Sequence, residues 1–395
     1  MKILYYKLRA AVVTRLLRWI PRDAPMILKG AGSSLELADQ LAVLGYKKVL
    51  IVSDKILREL GVLDELLARL EKNAVATVIF DGVLPDPAFD QVQAGEKVYR
   101  ENNCDAVFAV GGGSVLDAAK MISMLHTNPG PIKSFEGTQP CKNSGVPLFV
   151  APTTAGTGSE ITFVAVITNP DTHDKLPVVD SKMIPHYVAL DAALMRGMPA
   201  SVTAATGMDA LTHAVESYLS TASTAQTEVK AVAAVRLVFD YLLVAYRDGD
   251  DLQARDAMAM AAFYAGAAFG KTSVGYVHGI AHQLGRVCGT PHGNANAMVL
   301  PEVLRAYGSC INPQLAELAR AVGIEADDEA ALASRFIESI AAMRSQMDMP
   351  TKPKALKEAD IPEITRQALA EAGSLYPVPR YMSAAEIREI VVALV

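Results

Sequence analysis

Apolar runs and amphipathic stretches alternate along the first half of the chain. Lys48–Ser53 (Lys-Val-Leu-Ile-Val-Ser) is a short, nearly continuous apolar run and predicts a buried strand. Leu63–Lys72 has helical spacing, Ala76–Phe80 predicts another strand, and Asp90–Asn102 another helix. Ala106–Val110 predicts a third strand, which runs into Gly111-Gly112-Gly113-Ser114 and then a helix over Val115–Leu125. Pro147–Ala151 predicts a further strand. Strand, helix, strand in succession implies a parallel sheet covered on both faces, a Rossmann-like α/β fold.

The pattern changes from about Ala200, where apolar residues recur at three and four with much Ala, Leu and Met. Ala225–Ala245, Leu252–Phe269, Pro313–Val322 and Glu329–Met343 predict helices. A boundary near Arg196–Pro199 divides the chain into an α/β domain over residues 25–198 and an all-α domain over residues 199–395. Residues 1–24 stand apart as an N-terminal extension, and no internal repeat is visible.

Bulk composition narrows the class without naming it. A chain of 395 residues suggests two or three domains at roughly 100–200 residues each. The balance, 51% apolar and 20% charged, is that of an ordinary globular protein with a large core. A net charge of −6 offers no basic surplus for a polyanion, which argues against nucleic acid as a partner. Cys104, Cys141, Cys288 and Cys310 are far apart and form no CxxC pair. That fits a reducing, cytoplasmic setting, with no disulfide framework or zinc finger.

No window approaches the ~18 apolar residues of a membrane span. The first twenty residues nevertheless carry Lys2, Lys7, Arg9, Arg15 and Arg18 among large apolar residues, with Trp19 the only tryptophan. Arg15 breaks the apolar run and no small-residue cleavage site follows, which argues against a signal peptide. A helix packed on the body or a partner subunit, peripheral membrane contact through residues 1–20, and a targeting peptide all remain open.

The densest chemistry lies in Val277-His278-Gly279-Ile280-Ala281-His282 and Pro291-His292-Gly293, which hold three of the seven histidines. A fourth stands in Asp209-Ala210-Leu211-Thr212-His213. Asp209 and His213, at i and i+4, share one helix face and can reach one ion; His278 and His282 repeat the spacing. His292 is expected on a Pro/Gly-bounded turn folding back toward the same point. A carboxylate with several neutral imidazoles suits a divalent transition metal. Each histidine alone also reads as a surface or satisfied core residue, and spacing does not choose between His278 and His282.

The first half carries a second candidate site. Gly111-Gly112-Gly113-Ser114 follows a strand and opens a helix, so backbone N–H groups and a helix N-terminus can approach a pyrophosphate. Packing alone also produces such turns. Asp54 follows the strand Val49–Ser53, where an acid can accept from ribose hydroxyls and repel a 2′-phosphate, or simply cap a turn. Pro152-Thr153-Thr154-Ala155-Gly156-Thr157-Gly158-Ser159-Glu160 gathers hydroxyls and small residues after a strand, though Ser159 could also cap a helix. Lys175 is a candidate cation for phosphate or ribose, or a solvated surface lysine.

Taken in order, these motifs resemble the iron-dependent (group III) alcohol dehydrogenase family. The matching pieces are Gly111–Ser114 with Asp117 and Lys120, the run Pro152–Glu160, Gly207-Met208-Asp209-Ala210-Leu211-Thr212-His213-Ala214, Gly275–Gly285 and Pro291–Ala297. The likeness covers roughly Pro25 to the C-terminus. It implies a dinucleotide-binding α/β domain followed by a helical metal-binding and catalytic domain. It implies Asp209, His213, His278 and His292 as metal ligands, with Fe²⁺ the usual ion and Zn²⁺ possible. His282 becomes the non-ligand histidine near the nicotinamide. Asp54, Gly111, Gly112, Gly113, Ser114, Thr153, Thr154 and Lys175 become the NAD contacts. The implied activity is NAD(H)-linked interconversion of a primary alcohol and its aldehyde, in a homodimer.

Three departures bear on substrate choice: Asp86 where some relatives have Asn, Gly270-Lys271 where small polar residues are frequent, and Val378-Pro379-Arg380 in place of Asn-Pro-Arg. Phe163, Phe269 and Tyr376 are candidate pocket residues, or ordinary core. The rival readings are a non-redox NAD-using relative like dehydroquinate synthase, a polyol or glycerol dehydrogenase, a metal-dependent hydrolase without a nucleotide, and a protein that kept the fold without activity. A lyase of that kind needs a basic cluster and usually a Glu-led metal set; here the acid is Asp209, with few Lys or Arg nearby.

Overall fold

The computed structural model describes residues 24–135, 137–170 and 175–395. The N-terminal segment singled out above, residues 1–20, lies outside them. Among the described residues the first half reads β1 (Met26–Lys29), α1 (Ser33–Val43), β2 (Lys48–Val52), α2 (Lys55–Glu59), α3 (Asp64–Lys72), β3 (Ala76–Phe80), α4 (Phe89–Glu101), β4 (Ala106–Gly111) and α5 (Gly113–Thr127). It continues with β5 (Gly137–Thr138), β6 (Leu148–Pro152), β7 (Val164–Thr168), β8 (Lys175–Val179) and β9 (Tyr187–Leu190).

Six of these strands form one sheet in the order β1-β9-β6-β4-β2-β3. Every pairing in it is parallel. The sequences of the central strands β2, β4 and β6 are continuous apolar runs because both faces are covered. Val49 and Ile51 of β2, Phe108 of β4 and Phe149 of β6 face Leu37 and Leu41 of α1 and Leu66 and Leu70 of α3. The alternate residues Leu50, Val52, Val107, Ala109 and Val150 face α4, α5 and the core of the second half. A second, three-stranded sheet, β5-β8-β7, was not expected; β7 and β8 pair antiparallel in it.

The second half is α6 (Ala200–Leu219), α7 (Ala225–Arg247), α8 (Leu252–Thr272), α9 (Tyr276–Cys288), α10 (His292–Tyr307), α11 (Asn312–Ala321), α12 (Glu329–Gln346), α13 (Ile361–Leu375) and α14 (Ala384–Ala393). Helix starts carry their own signals: Asp251 caps α8, Asp328 caps α12, and Thr224 and Ser383 make capping boxes on α7 and α14. One expectation is corrected. His292 is not on a turn but is the first residue of α10, behind Pro291. Proline tolerates the start of a helix because the first N–H groups lack intrahelical acceptors.

The halves are bolted together where the chain passes from one to the other. Arg255 of α8 is fully buried and donates to Thr203 Oγ1 at 2.7 Å, Gly249 O at 3.0 Å and Met198 O at 3.3 Å. Gly158, at φ +62°, lets the loop after β6 press against α8; a Cβ there would lie 2.6 Å from Gly266 Cα. Among the described residues, no helix is long and apolar enough to cross a membrane.

Candidate functional site

Strands β2, β4 and β6 are consecutive neighbours, and their carboxyl ends meet along one sheet edge. The chain leaves β2 for β3 on one side and returns to β4 on the other. In open α/β sheets a ligand binds outside strand ends at such a reversal. Ser53 Oγ donates to Val110 O at 2.8 Å, joining the end of β2 to the end of β4. Thr153 N donates to Gly111 O at 3.0 Å, joining β6 to β4, and Thr154 packs beside Gly112. Asp54, Gly111, Gly112, Gly113, Ser114, Thr153 and Thr154 therefore share this edge. Gly112 precedes α5 in extended conformation and no side chain caps that helix, so its first N–H groups are available to an anion. Asp54 Oδ1 accepts from Leu57 N at 2.9 Å, capping α2. Lys175 is apart from this group in the chain's topology, on β8, and its exposed ammonium pairs with Asp86 Oδ1 at 2.7 Å.

Buried polar groups hold the edge in place. Lys120 of α5 is fully buried and donates to Ser159 Oγ, Thr162 Oγ1 and Val164 O at 2.8, 3.2 and 2.9 Å. Asp117 accepts from Ser159 Oγ at 2.5 Å and from Val166 N at 2.9 Å. Together they pin the glycine-turn helix to the loop after β6. Burial lowers the Lys120 amine to about 8 against the opposing pull of Asp117 and Glu160. Burial likewise raises the Glu160 carboxyl to about 7.

The second cluster is built from helix faces. Asp209 and His213 lie on α6, His278 and His282 on α9, and His292 opens α10. Asp209, His278 and His292 each offer one ligand atom, and these atoms all lie within 4.8 Å of one another. Asp209 Oδ1 is 3.7 Å from His278 Nε2 and 3.4 Å from His292 Nε2. His213 is adjacent but looser: its Nδ1 is 3.9 Å from Asp209 Oδ2, and its ring stacks on His278 at 4.5 Å and on Phe269 at 4.1 Å. Phe269 is thus a wall of this cluster.

Burial disfavours the charge on Asp209, yet His213, His292 and His278 outweigh it and hold the carboxyl well below its ordinary value. Burial pushes His213 down to about 3, which keeps it neutral. Burial also opposes charge on His278, but its bonds to Asp209 and Glu216 prevail and raise it to about 9.

Asp209 Oδ1, His278 Nε2 and His292 Nε2 all face a single donor, Asn296 Nδ2, at 2.7, 3.3 and 3.1 Å. His213 Nδ1 and Asn296 Oδ1 are buried with no hydrogen-bond partner. Asp209 Oδ1 and the Nε2 atoms of His278 and His292 thus converge on one point, and they become a set of lone pairs once His278 gives up the proton its raised pKa retains. A divalent cation fits that donor set.

His282 occupies the open side of the cluster, its ring stacked on His292 with centroids 5.4 Å apart. Its Nδ1 donates to Glu371 Oε1 at 2.7 Å, and Glu371 also accepts from Tyr376 OH at 2.6 Å and Gln283 Nε2 at 2.9 Å. Burial lowers the His282 pKa against the pull of Glu371. Glu216, Asn296 and Glu371 were not singled out from the sequence. Glu216 falls at i+7 from Asp209 and Asn296 at i+4 from His292, so helical spacing carried a signal for both; Glu371 is 89 residues from its partner and carried none.

Residues 24–192 match the family described as iron-containing alcohol dehydrogenase, and residues 203–395 match its C-terminal domain. The chain is 40% identical over 361 residues to 1,3-propanediol dehydrogenase of Citrobacter freundii, covering 90% of this chain and 93% of that one. It is 38% identical over 354 residues to alcohol dehydrogenase 4 of Schizosaccharomyces pombe, covering 89% and 83%. A crystal structure of 1,3-propanediol oxidoreductase superposes with a TM-score of 0.92 at 36% identity, over 96% of this chain and all of the other.

Proposed function

The chain belongs to the iron-containing alcohol dehydrogenase family, and on that premise we propose that it interconverts a small primary alcohol and its aldehyde with NAD(H) and a divalent ion. The convergence of Asp209, His278 and His292 on one point carries this reading, beside a sheet edge suited to a pyrophosphate. Asp209, His213, His278 and His292 would hold the ion, Fe²⁺ by family likeness and Zn²⁺ by ligand chemistry as the alternative. When bound, such an ion supplies Lewis-acid polarisation of an alcohol or carbonyl oxygen, and NAD supplies the hydride acceptor. Gly111, Gly112, Gly113 and Ser114 would receive the pyrophosphate, with Thr153 and Thr154 behind it, Asp54 at the ribose and Lys175 at the outer rim. The division into a nucleotide domain, residues 25–198, and a catalytic domain, residues 199–395, follows from the same reading.

His282 is the proton-handling group in this proposal. Its Nδ1–H is committed to Glu371, which leaves Nε2 to accept a proton and pass it outward. The side chain is 36% exposed, so that path to water is short. Curated relatives named for 1,3-propanediol, methanol and lactaldehyde support a small substrate. The test is anaerobic purification, metal analysis, and NADH oxidation against aldehydes of increasing chain length with and without Fe²⁺ or Zn²⁺. Turnover that requires metal and peaks at short chains is expected. Metal and NADH binding without turnover of any aldehyde would overturn the assignment.

A further inference from the structure

Glu216 lies seven residues beyond Asp209 on α6 and is almost fully buried, with 5% of its side chain exposed. Its two oxygens have separate partners. Oε2 accepts from His278 Nδ1 at 2.6 Å, and Oε1 accepts from the backbone N–H of Val277 at 2.8 Å. Val277 is in the first turn of α9, where N–H groups have no intrahelical acceptor, and no side chain from that helix's own N-cap supplies one. A carboxylate from another helix therefore caps α9 and holds its histidine at once. The chain makes room for it at Gly275, where a Cβ would stand 2.7 Å from Oε1.

We propose that Glu216 is a positioning residue: it commits His278 to the Nδ1–H form and thereby turns the Nε2 lone pair toward Asp209 and His292. This rests on the reading that Asp209, His278 and His292 hold a divalent ion. An imidazole is a ligand only through an unprotonated nitrogen, and the partner of the other nitrogen decides which one that is. In Glu216→Gln the amide oxygen can accept from Val277 N or from His278 Nδ1, but not both. If the amide NH₂ faces His278, it favours the opposite tautomer, with the proton on Nε2.

Zinc affinity of the full-length protein by competition with a chelating dye, beside NADH affinity by fluorescence, reads this directly. Glu216→Gln is expected to weaken zinc binding by roughly 10- to 100-fold with NADH affinity unchanged. Glu216→Asp, which keeps a carboxylate, should recover part of the loss. Long-range ¹H–¹⁵N spectra of histidine-labelled, zinc-loaded protein should show one imidazole changing its nitrogen pattern in Glu216→Gln alone. Should Glu216→Gln fail to fold, Gly275→Ala pushes the carboxylate without removing it and should still lower zinc affinity severalfold. Parental zinc affinity in whichever folded variant is measured would overturn the proposal and leave the metal reading standing. A parent protein that binds no zinc or iron would overturn both.

Discussion

The two halves assemble their candidate sites from different materials. The sheet half presents backbone: three glycines, an uncapped helix start and strand ends aligned by hydrogen bonds such as Thr153 N to Gly111 O. The helical half presents side chains, with a carboxylate and imidazoles brought together from α6, α9 and α10. A site made of backbone is damaged by adding atoms, and one made of side chains by removing them. The two should also fail separately unless a substitution moves the loop after β6, whose Gly156 backbone is hydrogen-bonded to His213.

His278→Ala is the largest test of that contrast. It removes a ligand atom and leaves the glycine turn untouched. We expect kcat/KM to fall by roughly a thousandfold or more, since polarising the substrate oxygen is worth several kcal/mol, while NADH still binds with its parental affinity. Full activity in metal-depleted His278→Ala protein would remove the metal from the reaction. Gly111→Ala is the converse. Its Cβ would lie 2.5 Å from Val115 Cβ, a rigid atom at the start of α5, so the turn itself must move. NADH affinity should drop about 10- to 100-fold, the scale of an overpacking strain of 1–3 kcal/mol, with zinc affinity unchanged. Loss of metal binding in Gly111→Ala would show that the halves do not fail separately.

The same contrast explains what the sequence disclosed. Buried parallel strands are apolar throughout, so β2, β4 and β6 appear as runs within a residue or two of their observed ends, as does the half-buried edge strand β3. The strands β5 and β8 carry no such run, since β5 has two residues and β8 contains Pro177 and exposed positions; β7, Val-Ala-Val-Ile-Thr, carries one that was not read as a strand. Within one helix, spacing made Asp209 and His213 legible, and the same face held Glu216, indistinguishable by type from a surface glutamate. His292 was expected on a turn because Pro291 and Gly293 read as breakers. In the structure the proline opens the helix, and Gly293 lets α10 approach α6, where a Cβ would lie 2.2 Å from Ala205 O. Partners far apart in the chain, such as His282 and Glu371, had no sequence signal.

The seam offers a separate test. Glu160 has its carboxyl raised to about 7 by burial. A group raised in the folded state contributes stability below its unfolded value and loses it as pH rises through the folded one. Glu160 should therefore make the protein lose on the order of 3 kcal/mol between about pH 4.5 and 7. In Glu160→Gln the side chain cannot ionise, and urea midpoints should decline less across that window than in the parent. Parallel declines in the two proteins would show that Glu160 ionises outside it.

The smallest expected effect is at the ribose end of the backbone-built site. Asp54 is a side-chain charge placed beyond β2 and next to the reversal in strand order. A carboxylate there accepts from ribose hydroxyls and repels a 2′-phosphate. Asp54 also caps α2 through Leu57 N, so its loss has a structural component. The two roles separate by cofactor. Losing the cap should weaken NAD⁺ and NADP⁺ alike, whereas losing the repulsion should favour NADP⁺ only. Asp54→Gly should therefore shift the NAD⁺/NADP⁺ ratio of kcat/KM by about tenfold, and Asp54→Asn should reproduce that shift while sparing much of the cap. An unchanged ratio in both would assign Asp54 to capping alone, and cofactor choice would then rest on backbone contacts, as the rest of this edge does.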